Sequence, residues 1–397
     1  MNPALPVTRT ALGSPEVDNT ARIMANRTQD LYPAVALDVT PLQNAHRVRG
    51  IGTYVRGLAT RLAAQDEVAI EFWGWQGDLP LAIRPPHRAV LLKRSLLPEY
   101  RAKWLFAQLA MQRRARASGV RAVHITDPDA LTFLAGRKML STVYDLIPLR
   151  QGISRKRIIG WAGYRTYIRN LRRVDTYFAI STQTAHELTD LLAIPREKIL
   201  VAAPGIDLPP QSDAAFGGGR PYFLYVGGPN PNKNLPALLN ALTQTEALPE
   251  ELLVAGHWLP KQVAALNTAV SASGLAGRVR HIGFVPDGEL AARLRGATAV
   301  VVPSRSEGFG LPVGEGLAAG ALVIHSRIPV LEETSAGAAL TFDPDSPEQL
   351  ADCLRMASAG GATMDELREK GRRRAMYLTW DEAIQATLGA YHEILAS

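Results

Sequence analysis

Short apolar runs alternate with stretches of helical period along most of the chain. In the first half, residues 34–39, 68–72, 89–92, 122–125, 141–144 and 176–180 read as strands, and 54–64, 104–117, 156–172 and 182–192 as helices. A second series follows, with strands at 222–226, 252–256, 279–284, 298–302, 321–325 and 338–342. Terminal helices are predicted over 347–356, 364–375 and 381–395. Strands alternating with helices predict parallel sheets covered on both faces, and ligands of such sheets gather at the carboxyl ends of the strands. In the first sheet that edge would hold His124, Asp127, Tyr144 and Asp145.

Residues 208–221 break every periodicity and include Gly217, Gly218 and Gly219, the composition of a linker. A chain of 397 residues is long for one core. The division expected is an N-terminal tail at 1–30, a first Rossmann-like domain at 31–207, the linker, and a second Rossmann-like domain at 222–376. A final helical segment occupies 377–397.

The stretch with the most chemistry is Ser304-Arg305-Ser306-Glu307-Gly308-Phe309-Gly310-Leu311-Pro312-Val313-Gly314-Glu315. It follows the β-branched run at 298–302 and leads into a helix that Gly320 ends. Pro312 suits the first helical turn, and Gly308 and Gly310 let the backbone approach a ligand closely. The free N–H groups at such a helix start favour phosphate or sugar oxygens. Glu307 would then sit at the helix mouth and Glu315 about one turn inside.

This string resembles the signature of the retaining family 4 glycosyltransferases of GT-B fold, two Rossmann-like domains facing a central cleft. The resemblance implies that Glu307 contacts a donor sugar, that the amides of Gly308, Phe309, Gly310 and Leu311 contact sugar and phosphate, and that Glu315 binds the nucleotide ribose. Further strings match over most of residues 34–395. Arg49-Gly50-Ile51-Gly52 is similar to the glycine loop over the donor diphosphate, a role carried to Gly50 and Gly52. Asn232-Lys233-Asn234-Leu235 falls on the family's Arg-Lys-Asn-Leu, which implies that Lys233 neutralises the diphosphate. Gly283-Phe284-Val285-Pro286 matches a turn whose backbone, near Val285, touches the nucleobase. Tyr144-Asp145-Leu146-Ile147-Pro148-Leu149 matches a His-Asp-Leu-Ile-Pro-Leu string, which puts Tyr144 and Asp145 on the acceptor side and Asp145 as the group that orients or deprotonates the acceptor.

Two departures stand out. Tyr144 replaces the family's histidine, and a tyrosine of pKa ~10 is a poor base at neutral pH. Asn232 carries no charge where the family has arginine. These two raise the alternative of an inactive nucleotide-sugar-binding subunit, against which Glu307, Lys233 and Glu315 are intact. By the same resemblance, the last helix packs back on the first domain.

Charge adds a partner. Between Arg84 and Arg173 there are twenty Lys and Arg against four acids, within a net charge of +7. No helix-turn-helix, zinc-finger or RNP string accompanies this excess, so nucleic acid is not expected. An anionic bilayer fits it, at ~1 kcal/mol per basic residue near the surface. No apolar run reaches a membrane span, and residues 1–30 have no apolar signal region, so the location expected is cytoplasmic, peripheral at the inner face of the plasma membrane. The one cysteine, Cys353, reads as a packed side chain.

The activity implied is transfer of a hexose from a nucleotide-diphosphate sugar with retention of configuration. Neither metal nor other cofactor is expected, since a lysine and helix termini hold the diphosphate. Mannose from GDP-mannose, moved to a lipid-linked or surface-polysaccharide oligosaccharide acceptor, is the first reading. A UDP-glucose-dependent glucosyltransferase acting on a soluble acceptor is the alternative.

Overall fold

The computed structural model describes residues 34–48, 50–93, 103–150, 158–207 and 219–397. The tail at 1–30 and most of the linker therefore lie outside the described residues. Two parallel sheets organise the rest.

The first sheet has seven strands: β1 (Val35–Asp38), β2 (Ile70–Trp75), β3 (Arg88–Leu92), β4 (Ala122–Ile125), β5 (Lys138–Val143), β6 (Thr176–Ala179) and β7 (Ile199–Val201). Their order is β3-β2-β1-β4-β5-β6-β7. Five helices are interspersed among the described residues: α1 (Gly50–Leu62), α2 (Lys103–Ala117), α3 (Ile147–Arg150), α4 (Ile158–Leu171) and α5 (Thr182–Leu192). Strand β7 is absent from the sequence prediction, because three residues are too few to display a period. Strand β5 begins three residues earlier than predicted, at Lys138.

The second sheet has six strands: β8 (Tyr222–Val226), β9 (Glu251–Ala255), β10 (Val279–Gly283), β11 (Ala299–Val302), β12 (Val323–Ser326) and β13 (Leu340–Phe342), in the order β10-β9-β8-β11-β12-β13. Its helices are α6 (Leu235–Thr243), α7 (Pro260–Ala272), α8 (Asp287–Gly296), α9 (Leu311–Ala318), α10 (Pro329–Ser335), α11 (Pro347–Ala359), α12 (Ala362–Ala375) and α13 (Asp381–Ala396). Each sheet buries an apolar cluster on both faces, which is why its strands read as continuous apolar runs.

In both sheets the strand order reverses at one place, between β1 and β4 and between β8 and β11. The connections there leave in opposite directions, which opens a crevice at the carboxyl ends of the strands. Candidate residues cluster at these two points.

The last helix belongs physically to the first sheet. Ile384, Leu388, Tyr391 and Ile394 of α13 lie in the same buried cluster as Leu37, Tyr54 and Leu58. Trp380, just before α13, fills space left by two glycines. A Cβ on Gly57 would come within 2.0 Å of its ring, and a Cβ on Gly205 within 2.4 Å. Its indole N–H donates to Asp207 Oδ2 at 2.9 Å, and Arg61 stacks on the ring while also pairing with Asp207 at 2.6 Å. Alongside, the Ile206 N–H donates to the Leu378 carbonyl at 2.8 Å.

Candidate active site

Strand β11 ends at Val302, and the chain turns through Ser304 to Gly310 before α9 starts. Gly310 is the N-cap, held at φ 97°, a conformation that disfavours any side chain, and a Cβ there would also reach within 2.4 Å of Leu331. Pro312 occupies the first turn of α9, as its missing N–H allows. The Thr334 hydroxyl donates to the Phe309 carbonyl at 2.6 Å, fixing the turn from behind.

Glu307 lies in this turn and is almost buried, at 9% side-chain exposure. Lys233 Nζ donates to both of its carboxylate oxygens at 2.7 Å. The Ser304 hydroxyl donates to Oε1 at 2.6 Å. Among the described residues, Oε1 thus has two donors and Oε2 only the lysine. Lys233 comes from the short 3-10 turn Pro231–Lys233 that follows β8. The acid and the base therefore meet from the two strands flanking the reversal in the second sheet.

Glu315, in the second turn of α9, is partly buried. Burial, and after it the nearby Asp287 carboxylate, push its carboxyl up to about 7 from 4.5. The folded chain therefore holds this proton more tightly than the unfolded chain. Stability from this group is complete below pH 4.5 and is lost as pH rises through about 7. Chemical denaturation of wild type and Glu315→Gln from pH 5 to 8 is expected to give a wild-type-minus-variant difference that declines with pH. A flat difference would refute the shift.

The first domain meets this turn directly. A Cβ on Gly308 would lie 2.2 Å from the Tyr144 carbonyl, and one on Gly50 would lie 3.4 Å from Leu311 Cδ1. Gly50 and Gly52 were expected in a loop, but both fall in the first turn of α1. Gly52 sits there because the preceding chain folds over it: its N–H donates to the His46 carbonyl at 3.1 Å, and a Cβ would come within 2.4 Å of that oxygen. Phe309 is buried in the first domain's core cluster, with Leu311 packed beside it, and Val285 is buried among second-domain residues. The side chains of these three are therefore held by packing.

Asp145 is partly buried and accepts from the Ile147 N–H at 3.1 Å. Burial raises its pKa, and the carboxylates of Glu187 and Glu307 add to this while Lys233 opposes it. Tyr144 points elsewhere. Its ring is buried in the core, edge-on to Tyr54 at 5.6 Å, and its hydroxyl has no hydrogen-bond partner among the described residues. Burial raises its pKa well above 10, so it is no proton acceptor. His124 is also structural: buried, bonded to Tyr391 and Thr142 at 2.9 Å each, and pushed down to about 3 by burial.

The sequence reading passed over Asp127-Pro128-Asp129, an Asp-x-Asp string at the end of β4. Ligand atoms of His46, Asp127 and Asp129 lie within 4.8 Å of one another. Asp127 already accepts from Asn44 Nδ2 at 2.7 Å and from the Asp129 N–H at 2.9 Å, so it ties together the loops after β1 and β4. Another pair missed by motif reading crosses between the domains: Arg56 of α1 and Asp287 of α8, 3.5 Å apart.

With this geometry in view, known proteins add the following. Residues 211–374 match the family described as glycosyl transferases group 1, and residues 48–209 match Glycosyltransferase Family 4. The O-antigen chain mannosyltransferase B of Escherichia coli is 29% identical over 178 residues, covering 43% of this chain and 45% of its own. A D-inositol 3-phosphate glycosyltransferase of Jonesia denitrificans is 30% identical over 238 residues, 54% of this chain and 55% of its own. The serotype-specific mannosyltransferase WbdA of Escherichia coli is 24% identical over 282 residues, 66% of this chain and 34% of its own. The chain thus spans about half or less of the length of these relatives.

Among solved structures, a sucrose-phosphate synthase from Thermosynechococcus elongatus superposes with a TM-score of 0.77 at 21% identity, over 91% of this chain and 99% of that one. WaaG, a glycosyltransferase involved in lipopolysaccharide biosynthesis, gives a TM-score of 0.68 at 16% identity, over 88% and 98%. These likenesses bear on the fold, GT-B.

Proposed function

This chain belongs to the group 1, family 4 glycosyltransferases, and on that premise we propose that it moves a hexose from a nucleotide-diphosphate sugar to an acceptor hydroxyl with retention of configuration. The observation that carries this reading is the Lys233–Glu307 pair, set beside the amide-lined start of α9 with Glu315 deeper in the same helix.

Each role follows from the chemistry of the group. Lys233 and the amides of Gly308 to Leu311 take the negative charge that develops on the leaving diphosphate, the largest charge change in the reaction. Gly50 and Gly52 present backbone to the same phosphates without a side chain in the way. Glu307 accepts from hydroxyls of the donor sugar and Glu315 from those of the ribose. Backbone near Val285 meets the base. On the acceptor side, Asp145 has a raised pKa and so can hold the incoming hydroxyl's proton, while the departing phosphate offers a second acceptor on the same face. The protein's own cation and helix dipole supply the countercharge, and no metal enters this scheme.

Mannose from GDP-mannose is the preferred donor, supported by the two Escherichia coli mannosyltransferases among the relatives. A rival acceptor is suggested by the D-inositol 3-phosphate glycosyltransferase among the relatives, whose name contains a phosphorylated inositol. A thermal-shift panel of GDP, UDP, ADP and their sugars decides the donor. A nucleotide at ~100 times its Kd adds ~2.7 kcal/mol of stability, and the largest shift is expected for GDP. No shift with any of them would remove the proposal.

The proposed acceptor is lipid-linked, with the first domain resting on an anionic bilayer. Among the described residues no helix is long and apolar enough to cross a membrane. Instead, α2 exposes Leu105 and Leu109, 41% and 39% accessible, in line with exposed Arg113 and Arg116. Such a face suits insertion of the leucines beside anionic headgroups. Co-sedimentation with vesicles containing phosphatidylglycerol is expected at low salt and is expected to weaken severalfold in a Leu109→Ser, Arg113→Ser variant. Wild type remaining in the supernatant at low salt would favour the soluble acceptor.

A further inference from the structure

Asn232 stands where the family pattern has an arginine, and the structure gives it other work. The Arg305 N–H donates to the Asn232 carbonyl at 2.7 Å. In return, Asn232 Nδ2 donates to the Ser306 carbonyl at 3.0 Å. These two bonds run in opposite directions between the Pro231–Lys233 turn and the turn that carries Glu307. Both lie just N-terminal of the Lys233–Glu307 contact, since Asn232 precedes Lys233 by one residue, and Arg305 and Ser306 precede Glu307 by two and one.

The surrounding bonds make the arrangement stiff. Ser304 is 1% exposed and holds Glu307 Oε1, while its carbonyl accepts from the Ser326 hydroxyl on β12. Asn234, at φ 52°, donates through Nδ2 to the Pro344 carbonyl at 3.0 Å and so anchors the lysine turn on its other side. The Glu307 turn is thus tied to the sheet, the lysine turn is tied to the β13 exit, and Asn232 ties the two turns together. An arginine at 232 has no carboxamide to bond Ser306 at that distance, and its longer side chain would have to leave the gap.

We propose that Asn232 is a positioning residue that sets the separation of Lys233 and Glu307, so that the site works with one lysine on the diphosphate and loses activity if an arginine is restored at 232. This rests on the proposed transfer reaction. The physical reason is geometric: displacement of a reacting-centre group by ~1 Å costs about 100-fold in rate, and the Asn232 side chain bridges the two turns beside the Lys233–Glu307 contact.

The test uses the full chain and compares wild type, Asn232→Ala and Asn232→Arg. GDP and UDP binding is measured by calorimetry, and kcat and KM by transfer from the preferred nucleotide sugar. For both variants the inference expects kcat to fall by ~10- to 100-fold, GDP or UDP affinity to change by less than about threefold, and the melting temperature to stay near wild type. A rise in kcat/KM for Asn232→Arg, or tighter diphosphate binding, would identify 232 as a vacated cation position and overturn the inference. Wild-type kcat in Asn232→Ala would overturn it as well. Absence of any nucleotide binding or transfer by wild type would instead strike the proposed function, so the two failures are distinguishable.

Discussion

Glu307→Gln is expected to cut transfer by roughly two to three orders of magnitude and, in the same variant, to tighten binding of GDP or UDP. Both oxygens of Glu307 accept from Lys233 Nζ at 2.7 Å. A diphosphate therefore has to win the ammonium from a carboxylate that is almost buried. With glutamine in place, the side chain keeps the size needed to reach Ser304 but offers no charge, and Lys233 is released for the phosphate. A tenfold gain in affinity corresponds to ~1.4 kcal/mol, a modest share of a charge-assisted pair. Transfer falls because the donor sugar loses its acceptor, by ~100- to 1000-fold if this contact matters as much as a typical preorganised group. Calorimetry with GDP and UDP, paired with a transfer assay, reads both effects. Weaker nucleotide binding by Glu307→Gln would contradict the competition described.

Lys233→Ala removes the cation and leaves the anion in place, which is the more damaging half of the pair to lose. Glu307, 9% exposed beside Lys233, is left with only the Ser304 hydroxyl as side-chain partner among the described residues. Stranding one partner of a buried ion pair costs about 3 kcal/mol, so a clear fall in melting temperature is expected along with a loss of transfer of ~1000-fold. The double variant Lys233→Ala, Glu307→Gln is expected to regain most of the stability and none of the transfer, the mark of a coupled pair. If Lys233→Ala alone melts like wild type, the two side chains do not depend on each other as the distances indicate.

Much of this was readable in the chain beforehand, and the reasons differ from element to element. The β11 turn and α9 declare themselves because a β-branched run, glycines and Pro312 each satisfy a local rule at the same place. Glu315 and Lys233 were placed by resemblance to a motif, and the fold puts both at the second sheet's reversal. Helix α8 was not foreseen: only Ala291 and Leu294 are buried on it, so no apolar stripe marks its period. The first-turn position of Gly50 and Gly52 was misjudged because glycines near a strand end suggest a loop, whereas here the chain at 46–47 lies on top of the helix and excludes a Cβ. Tyr144 was legible as a departure, but not the direction its ring takes, since that depends on space beside Tyr54 in α1. Nor could spacing reveal that the Asn232 carboxamide bonds a carbonyl 74 residues further along the chain.

The Trp380 wedge has a mechanical consequence. The polypeptide passes from one half of the molecule to the other twice, after Asp207 and before Trp380, and the bond from Ile206 to Leu378 holds these passages side by side. Paired tethers at a common margin permit the halves to swing like a book on its spine but oppose sliding or unscrewing. Any opening between the halves must then leave this spine nearly still.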